Sequence, residues 1–573
     1  MRRSSILIIS AFSCVLFGVA AVRLNSHSSS AEAAQSQTPQ TVGSPSTVTQ
    51  AAHLEPVSTI LSATANPADI PSSEHLSAPG TALYTAKRGD TIPAVAHQYL
   101  KTTSYLTSSE LAEAIRHVNG NRSGNILRTG DKITIPGLLP APIVEKSIPV
   151  AKDFEVRAIY LTGIMAASDH GLRIIRRWRE VGGNAVVFDI KDSDGSINIP
   201  FEHPLLGKHQ VYIHDLPKFV HFLHAENMHA IARIAIFRDE RMVVEHPELA
   251  VQSRKTKQPW RENGKLVWTD PSQPKVQDFD IALAKFVAQS GADEIQFDYV
   301  RFPAEGDQKD ASFLYQTDHP DADSREADSP GADSRGDGRL GRPADAQQGG
   351  TSTDVQSTTK PSGLKHPSVK RSVVRPAAIP RGMQRSDVVT AFLKKAYAEL
   401  HPTGVLLSLD VFGIMAWQRP VDLSHTGQDI VGMAKYCDVL SPMIYPSHFF
   451  GMDNIEHPGD APEHFIGESM QRFELITKNS GVVIRPWLQA FRWRTKTYSP
   501  EYIKVQVETA RAKGGIGFLF WNAANDYSKP YEAMPEMKSA NFKAGTKDNP
   551  KYFRGDELPT ATTQAALTPT ETH

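Results

Sequence analysis

Between residues 156 and 522 one pattern repeats eight times: a short apolar run, then a stretch with helical periodicity. The runs are VRAIYLTG (156–163), AVVFDIK (185–191), AIARIAIF (230–237), EIQFDYVRF (294–302), VLLSLDVF (405–412), VLSPMIYP (439–446), IRPWLQAF (484–491) and GIGFLFWN (515–522). Helical stretches such as LRIIRRWREVG, VQDFDIALAKFVAQSG and YIKVQVETARAKG separate them. A strand covered on both faces reads as a nearly unbroken apolar run, and a parallel neighbour requires a long crossover. Eight such units predict a closed parallel (β/α)8 TIM barrel, an α/β fold, rather than an open sheet.

In such a barrel alternate residues of each strand face the lumen, and the others, packed under the helices, are apolar. On strand two Val186, Phe188 and Ile190 therefore face outward, and Asp189 and Lys191 inward. On strand four Ile295, Phe297 and Tyr299 face outward, and Gln296 and Asp298 inward. On strand five Leu407 and Leu409 face outward, and Ser408 and Asp410 inward. The same parity points Arg233, Met443, Tyr445, Trp487 and Gln489 into the lumen. Strand eight is ambiguous by parity; Gly517, Leu519 and Trp521 are assigned to the lumen because glycine suits a crowded one. Asp189, Asp298 and Asp410 then reach the C-terminal mouth, where barrels of this kind gather their chemistry. Lys191, Arg233 and Arg301 supply balancing charge, and Tyr445, Trp487 and Trp521 supply flat surfaces suited to sugar rings.

One lumenal aspartate can be a structural partner of a lysine, but three at one mouth argue for chemistry. Two carboxylates flanking a bond are the equipment of glycoside hydrolysis. No histidine lies on strands four to eight, and His229 only borders strand three, so no dedicated metal site is expected. No Gly-x-Ser-x-Gly elbow and no phosphate-binding loop occur. No cofactor is expected.

The other segments differ in composition. Charges balance, with 62 Lys and Arg against 63 Asp and Glu in 573 residues, which gives no electrostatic reason to expect nucleic acid. The two cysteines, Cys14 and Cys437, offer no disulfide framework. Arg2 and Arg3 precede an apolar run over residues 6–22, so residues 1–23 are expected to act as a signal peptide or membrane anchor. Export to the periplasm or another extracytoplasmic space follows, with anchoring to the inner membrane left open. Residues 24–81, rich in Ser, Thr, Ala and Pro, read as a disordered tether. Residues 305–380 carry three Ala-Asp-Ser repeats and read as a disordered insertion within the barrel region 152–545. Residues 546–573 read as an unstructured tail.

Between tether and barrel, ALYTAKRGDTIPAVAHQYL, SSELAEAIRHVNG and LRTGDKITIPG predict strand, helix, helix and strand, with the second helix opened by Ser109. This βααβ unit, residues 82–137, resembles a LysM domain, a module that binds N-acetylglucosamine-containing polymers. The resemblance implies a glycan groove between the loop Gly89, Asp90, Thr91, Ile92 and the loop 126–130. The segments VRAIYLTG, NAVVFDIKDSDG, ADEIQFDYVRFP, LSLDVFG and DVLSPMIYPSHF resemble a bacterial family of glycoside-hydrolase-like barrels, distantly related to the α-amylase-like enzymes. In those relatives the nucleophile is an Asp ending strand four and the acid a Glu on strand five. The resemblance implies Asp298 as nucleophile and Asp410, one methylene shorter, as acid and base. Asp189, Lys191, Arg233, Arg301, Tyr445, Trp487, Gln489 and Trp521 would bind the sugar. Together these readings imply an envelope glycoside hydrolase acting on a polysaccharide such as peptidoglycan, or alternatively a non-catalytic glycan binder.

Overall fold

Strand one of the barrel, Val156–Leu161, is buried at every position, which a strand covered by helices outside and by packed side chains inside requires. Strands two (Ala185–Lys191), three (His229–Ala235), four (Glu294–Asp298), five (Leu406–Phe412) and six (Val439–Ile444) follow in parallel register. Strand seven is split into Val483–Ile484 and Trp487–Gln489, with Pro486 in the gap, and strand eight, Gly517–Trp521, pairs back onto strand one. The sheet is a closed eight-stranded (β/α)8 barrel. Closure places Gly517 at φ +76° against strand one, where a Cβ would lie 2.1 Å from the carbonyl oxygen of Val156. That contact, more than a crowded lumen, requires glycine. This computed structural model describes residues 80–318, 382–449 and 451–540, Leu266 apart. The expected leader, most of the tether, the insertion from residue 319 to 381 and the tail lie outside the described residues. Among the described residues no helix is long and apolar enough to cross a membrane.

The lumen is filled in layers. At the closed end Arg485 Nη1 meets both oxygens of Glu294 at 2.9 Å, and His229 Nε2 lies 3.1 Å from Glu294. Above them Val156, Ala158, Ala185, Val187, Ile231 and Leu519 form an apolar layer. The carboxylates and aromatic residues described below form the upper layer.

The βααβ unit has the expected order. Ala82–Thr85 pairs antiparallel with Lys132–Ile135, and the helices Ile92–Tyr99 and Ser108–Val118 lie between them. Thr107, not Ser109, opens the second helix, accepting a hydrogen bond from the Glu110 amide. The unit is tied to the barrel's helices by Arg176–Glu110 (2.8 Å), Thr107–Asp169 (2.5 Å) and Lys218 Nζ to the Leu100 carbonyl (2.9 Å).

Three expectations are corrected. Strand four ends at Asp298, because Tyr299 takes φ +56° and turns the chain, so Tyr299 leaves the alternation and does not face the helices. Residues 305–318 are part of the folded body: Ala311–Ser312 pairs with Gln252–Ser253, and Phe313 and Tyr315 are buried against Phe302. These apolar residues, set in a polar stretch, supply the burial that composition averaged over the insertion conceals. In the small unit Ile92 is wholly buried in the core and is removed from the expected groove.

Phe313 is 1% exposed, with its ring centroid 4.9 Å from that of Phe302. Phe313→Ala is expected to destabilise the barrel by about 3–5 kcal/mol through lost burial and a residual cavity. Chemical denaturation checks this, and an unchanged midpoint would show that the segment packs on the barrel without supporting it.

Candidate active site

Strand parity brings four charged side chains to one point. Arg233, buried in the lumen, donates from Nη1 to Asp189 Oδ1 (2.5 Å) and from Nη2 and Nε to Asp298 Oδ2 (2.6 and 3.2 Å). Its Nε also lies 4.0 Å from Asp410 Oδ2. Asp298 and Asp410 thus each hold an oxygen near one nitrogen atom, at 3.2 and 4.0 Å, and those oxygens cannot be further apart than the two distances together. That limit admits the ~5–5.5 Å separation of retaining glycosidases and only the short end of the ~6.5–9.5 Å range of inverting ones.

The three carboxyls sit in different surroundings. Asp189 is sealed from solvent, and its second oxygen accepts the Tyr160 hydroxyl. Burial raises its pKa, against the pull of Arg233 and the Tyr160 hydrogen bond. Asp410 accepts hydrogen bonds at Oδ1 from Trp487 Nε1 (2.6 Å) and Gln296 Nε2 (2.7 Å). Burial first, and then the charge of Asp298, lift its pKa well above the usual carboxylate range. Asp298 is the most accessible of the three: its side chain keeps 10% of its surface open, against 1% for Asp410 and none for Asp189. Asp298 Oδ1 accepts the Tyr299 amide at 2.6 Å. The left-handed turn at Tyr299 therefore helps orient this carboxylate.

The aromatic residues divide into supports and surfaces. Trp521 stacks on Tyr160, with centroids 4.0 Å apart, and Arg233 lies over its ring. Trp487 is buried and holds Asp410, so its ring is not an open platform. Tyr445 packs against Phe491 and His448 at the mouth. Burial, aided by Arg494, pushes the pKa of His448 down to about 3, which leaves it neutral. Gln489 is fully buried, and its amide bonds the Ser447 amide and the carbonyls of Phe491 and Trp493. It ties loops together and does not face a ligand.

Lys191 is the clearest departure from parity. The pairing of strands two and three slips between Asp189 and Lys191. A bulge breaks the alternation and turns Lys191 out of the lumen to Asp239 and Asp280, each 2.8 Å from Nζ. It is a buried structural ion pair and not part of the mouth. Arg301 does reach the mouth, lying over Trp268, Phe412 and Tyr299. In the small unit Gly89 has φ +90°, Asp90 is tied to Tyr84 and to the Lys87 amide, and Thr91 caps a helix. Sequence reasoning missed the roles of Tyr160 and Gln296, although both lie on lumenal positions of the strand pattern. Tyr299 carried no signal, since its placement depends on one backbone turn. Among the described residues no group of three or more His, Cys, Asp or Glu could hold a metal ion; Arg233 supplies the positive charge among the acids.

Residues 158–527 match the family described as "Putative glycosyl hydrolase domain" (DUF4015), and the chain belongs to that family. No curated protein matches the chain. Among solved structures it is similar to a hypothetical protein from Ruminiclostridium thermocellum, with 35% identity, 27% of this chain and 80% of that one covered, and a TM-score of 0.25. It is also similar to the PgaB (BpsB) glycoside hydrolase domain from Bordetella bronchiseptica, at 13% identity, 66% and 98% coverage and a TM-score of 0.44. The spore cortex-lytic enzyme SleL of Bacillus megaterium is similar at 11% identity, with 82% and 87% coverage and a TM-score of 0.35.

Arg233→Met leaves Asp189 and Asp298 buried without their cation, which should destabilise the fold by about 3–5 kcal/mol. Without Arg233 the pKa values of Asp189 and Asp410, already raised by burial, rise further. The folded variant then binds protons more tightly than the unfolded chain, and its stability falls as pH rises. Thermal midpoints at pH 5 and pH 8 check this: the deficit against wild type should be larger at pH 8. Equal deficits would show that loss of packing, not charge, is responsible.

Proposed function

We propose that the chain is a glycoside hydrolase that cleaves a cell-envelope polysaccharide, with Asp298 as nucleophile and Asp410 as acid and base. The observation that carries this reading is the pairing of two lumenal carboxyls of opposite character around Arg233. Asp298 is partly open and meets the guanidinium directly, whereas Asp410 is buried and biased toward its protonated form. Split carboxyl environments of this kind assign acid and base roles.

In the proposed reaction an Asp298 oxygen bonds to the anomeric carbon as the bond to the leaving oxygen breaks. Asp410 gives its proton to that oxygen. Its carboxylate then takes a proton from water, whose oxygen attacks the anomeric carbon and releases Asp298. Trp487 and Gln296 hold Asp410 in place, while Tyr160 and Asp189 hold Arg233. We ascribe glycan attachment to the small βααβ unit on its likeness to LysM, with the surface beside Ile126, 77% exposed, as the contact region. Export and tethering through residues 6–22 belong to the same reading. The non-catalytic alternative draws on the fact that both Asp298 oxygens already accept hydrogen bonds, from Arg233 and the Tyr299 amide.

A polysaccharide-array hydrolysis screen identifies a substrate. On it Asp298→Asn should fold normally and lose at least a thousandfold in kcat, since covalent attack has no comparable substitute. If the variant keeps more than a tenth of wild-type activity, the nucleophile assignment is wrong. No turnover of any glycan by wild type favours the binder.

Asp410 acts as an acid only while protonated, so activity should fall as pH rises through its raised pKa. The Trp487 hydrogen bond favours the carboxylate, and Trp487→Phe removes it. The alkaline limb of the kcat/KM profile should therefore move upward, by on the order of one pH unit for a hydrogen bond to a charged group. A downward shift would contradict the role given to Asp410.

A further inference from the structure

Beside the two carboxylates lies a cationic site that the proposed mechanism does not use. Arg301, three residues beyond Asp298, is 7% exposed, and its guanidinium lies against the rings of Trp268 (4.6 Å), Phe412 (4.5 Å) and Tyr299 (5.5 Å). Arg238 approaches the same Tyr299 ring at 5.4 Å. Two like charges therefore converge on one ring, which a solvated surface would not require. Among the described residues no carboxylate lies within ion-pair distance of either guanidinium. Arg301 Nη1 donates to the Phe302 carbonyl (3.0 Å) and Arg238 Nη1 to the Ser193 carbonyl (3.2 Å).

The nearby acids make their direct hydrogen bonds to other groups. Glu262 accepts the Trp268 indole (2.6 Å) and the Glu305 amide (3.2 Å). Glu305 accepts the Asn263 amide group (2.6 Å), and Asp298 is held by Arg233. Glu262, Asp298 and Glu305 act on these guanidiniums through space and none is in contact with them, so the donors that make no hydrogen bond stay open to a ligand. Tyr299 sits at φ +56°, a conformation unusual for a bulky residue and characteristic of sites under functional constraint. A guanidinium with free donors is the group best matched to a carboxylate. Tyr299 directly follows Asp298, and Phe412 lies two residues beyond Asp410, so the site flanks the reacting centre.

We propose that Arg301, Arg238 and Tyr299 form an anion subsite that takes the carboxylate of an acidic sugar residue next to the cleaved bond. This rests on the hydrolase reading and narrows its substrate to acidic glycans. The carboxylate can come from a uronic acid or from the lactyl ether of a muramyl sugar.

Titration calorimetry on the full chain carrying Asp410→Asn, which prevents turnover while leaving Asp298 unaltered, separates the two. One arm compares oligogalacturonate with its methyl ester, and the other compares a muramyl disaccharide with its methyl amide. At least one acidic form should bind tenfold or more tightly than its uncharged partner, and the arm that shows this names the source. Adding Arg301→Met, which keeps an apolar stem against the rings, should bring the preference below threefold. Arg238→Gln, at a half-buried position, should also reduce it, and decides the matter if the Arg301 variant does not fold. The proposal is overturned if neither arm shows a preference, or if the preference survives in every folded variant. Binding is read apart from cleavage. A charge preference without hydrolysis of any glycan by wild type would overturn the hydrolase reading and leave the subsite in place.

Discussion

The upper half of the barrel depends on one buried guanidinium. Arg233 stands in a lumen closed by eight strands, with Asp189 and Asp298 in contact and Asp410 at 4.0 Å. Without a cation, three carboxyls in this space could not be ionised together, because each adds a desolvation penalty and repels the others. With it, two can share the charge while the third is driven toward its neutral form. One side chain on strand three thus makes the acid layer compatible with folding and gives its members different surroundings. Asp189 and Tyr160 act through Arg233 and hold the guanidinium at the angle at which it meets Asp298.

The two ends of the barrel solve the same problem differently. At the closed end Arg485, Glu294 and His229 form a sealed set. The positive charge of Arg485, with the hydrogen bond from His229, outweighs burial and holds the Glu294 pKa down at about 2. That arrangement is inert and structural. At the open end the acids outnumber the cation that contacts them, and one of them reaches solvent. Charge is matched at the base, and the excess of acids lies at the mouth, the end where barrels of this fold gather their chemistry. The two further guanidiniums beside Tyr299 add positive charge at the rim, displaced to one side of the acids.

Much of this was legible in the residues. Eight apolar runs separated by helical stretches predict the closed barrel, and the period of two along the runs places Asp189, Arg233, Gln296, Asp298, Asp410 and Trp487 in the lumen, where the structure has them. This works because an outward position under a helix tolerates only apolar side chains, so a polar residue in the alternation must face inward. The pattern could not say what each lumenal group does. Trp487 and Gln489 share a strand and a parity, yet one holds an acid and the other ties loops together, since their partners come from segments far away in sequence.

Local chemistry decided the barrel, the strand order, the βααβ unit and the identity of the acids, because side-chain period and crossover length are properties of neighbouring residues. The tertiary structure alone decided what breaks that period. A bulge between strands two and three sends Lys191 outward to Asp239 and Asp280. A left-handed turn after Asp298 brings Tyr299 to the mouth. Pairing with residues 252 and 253 draws the start of the insertion into the core. Each is a register or turn selected by contacts with distant parts of the chain, which no count along a single strand contains.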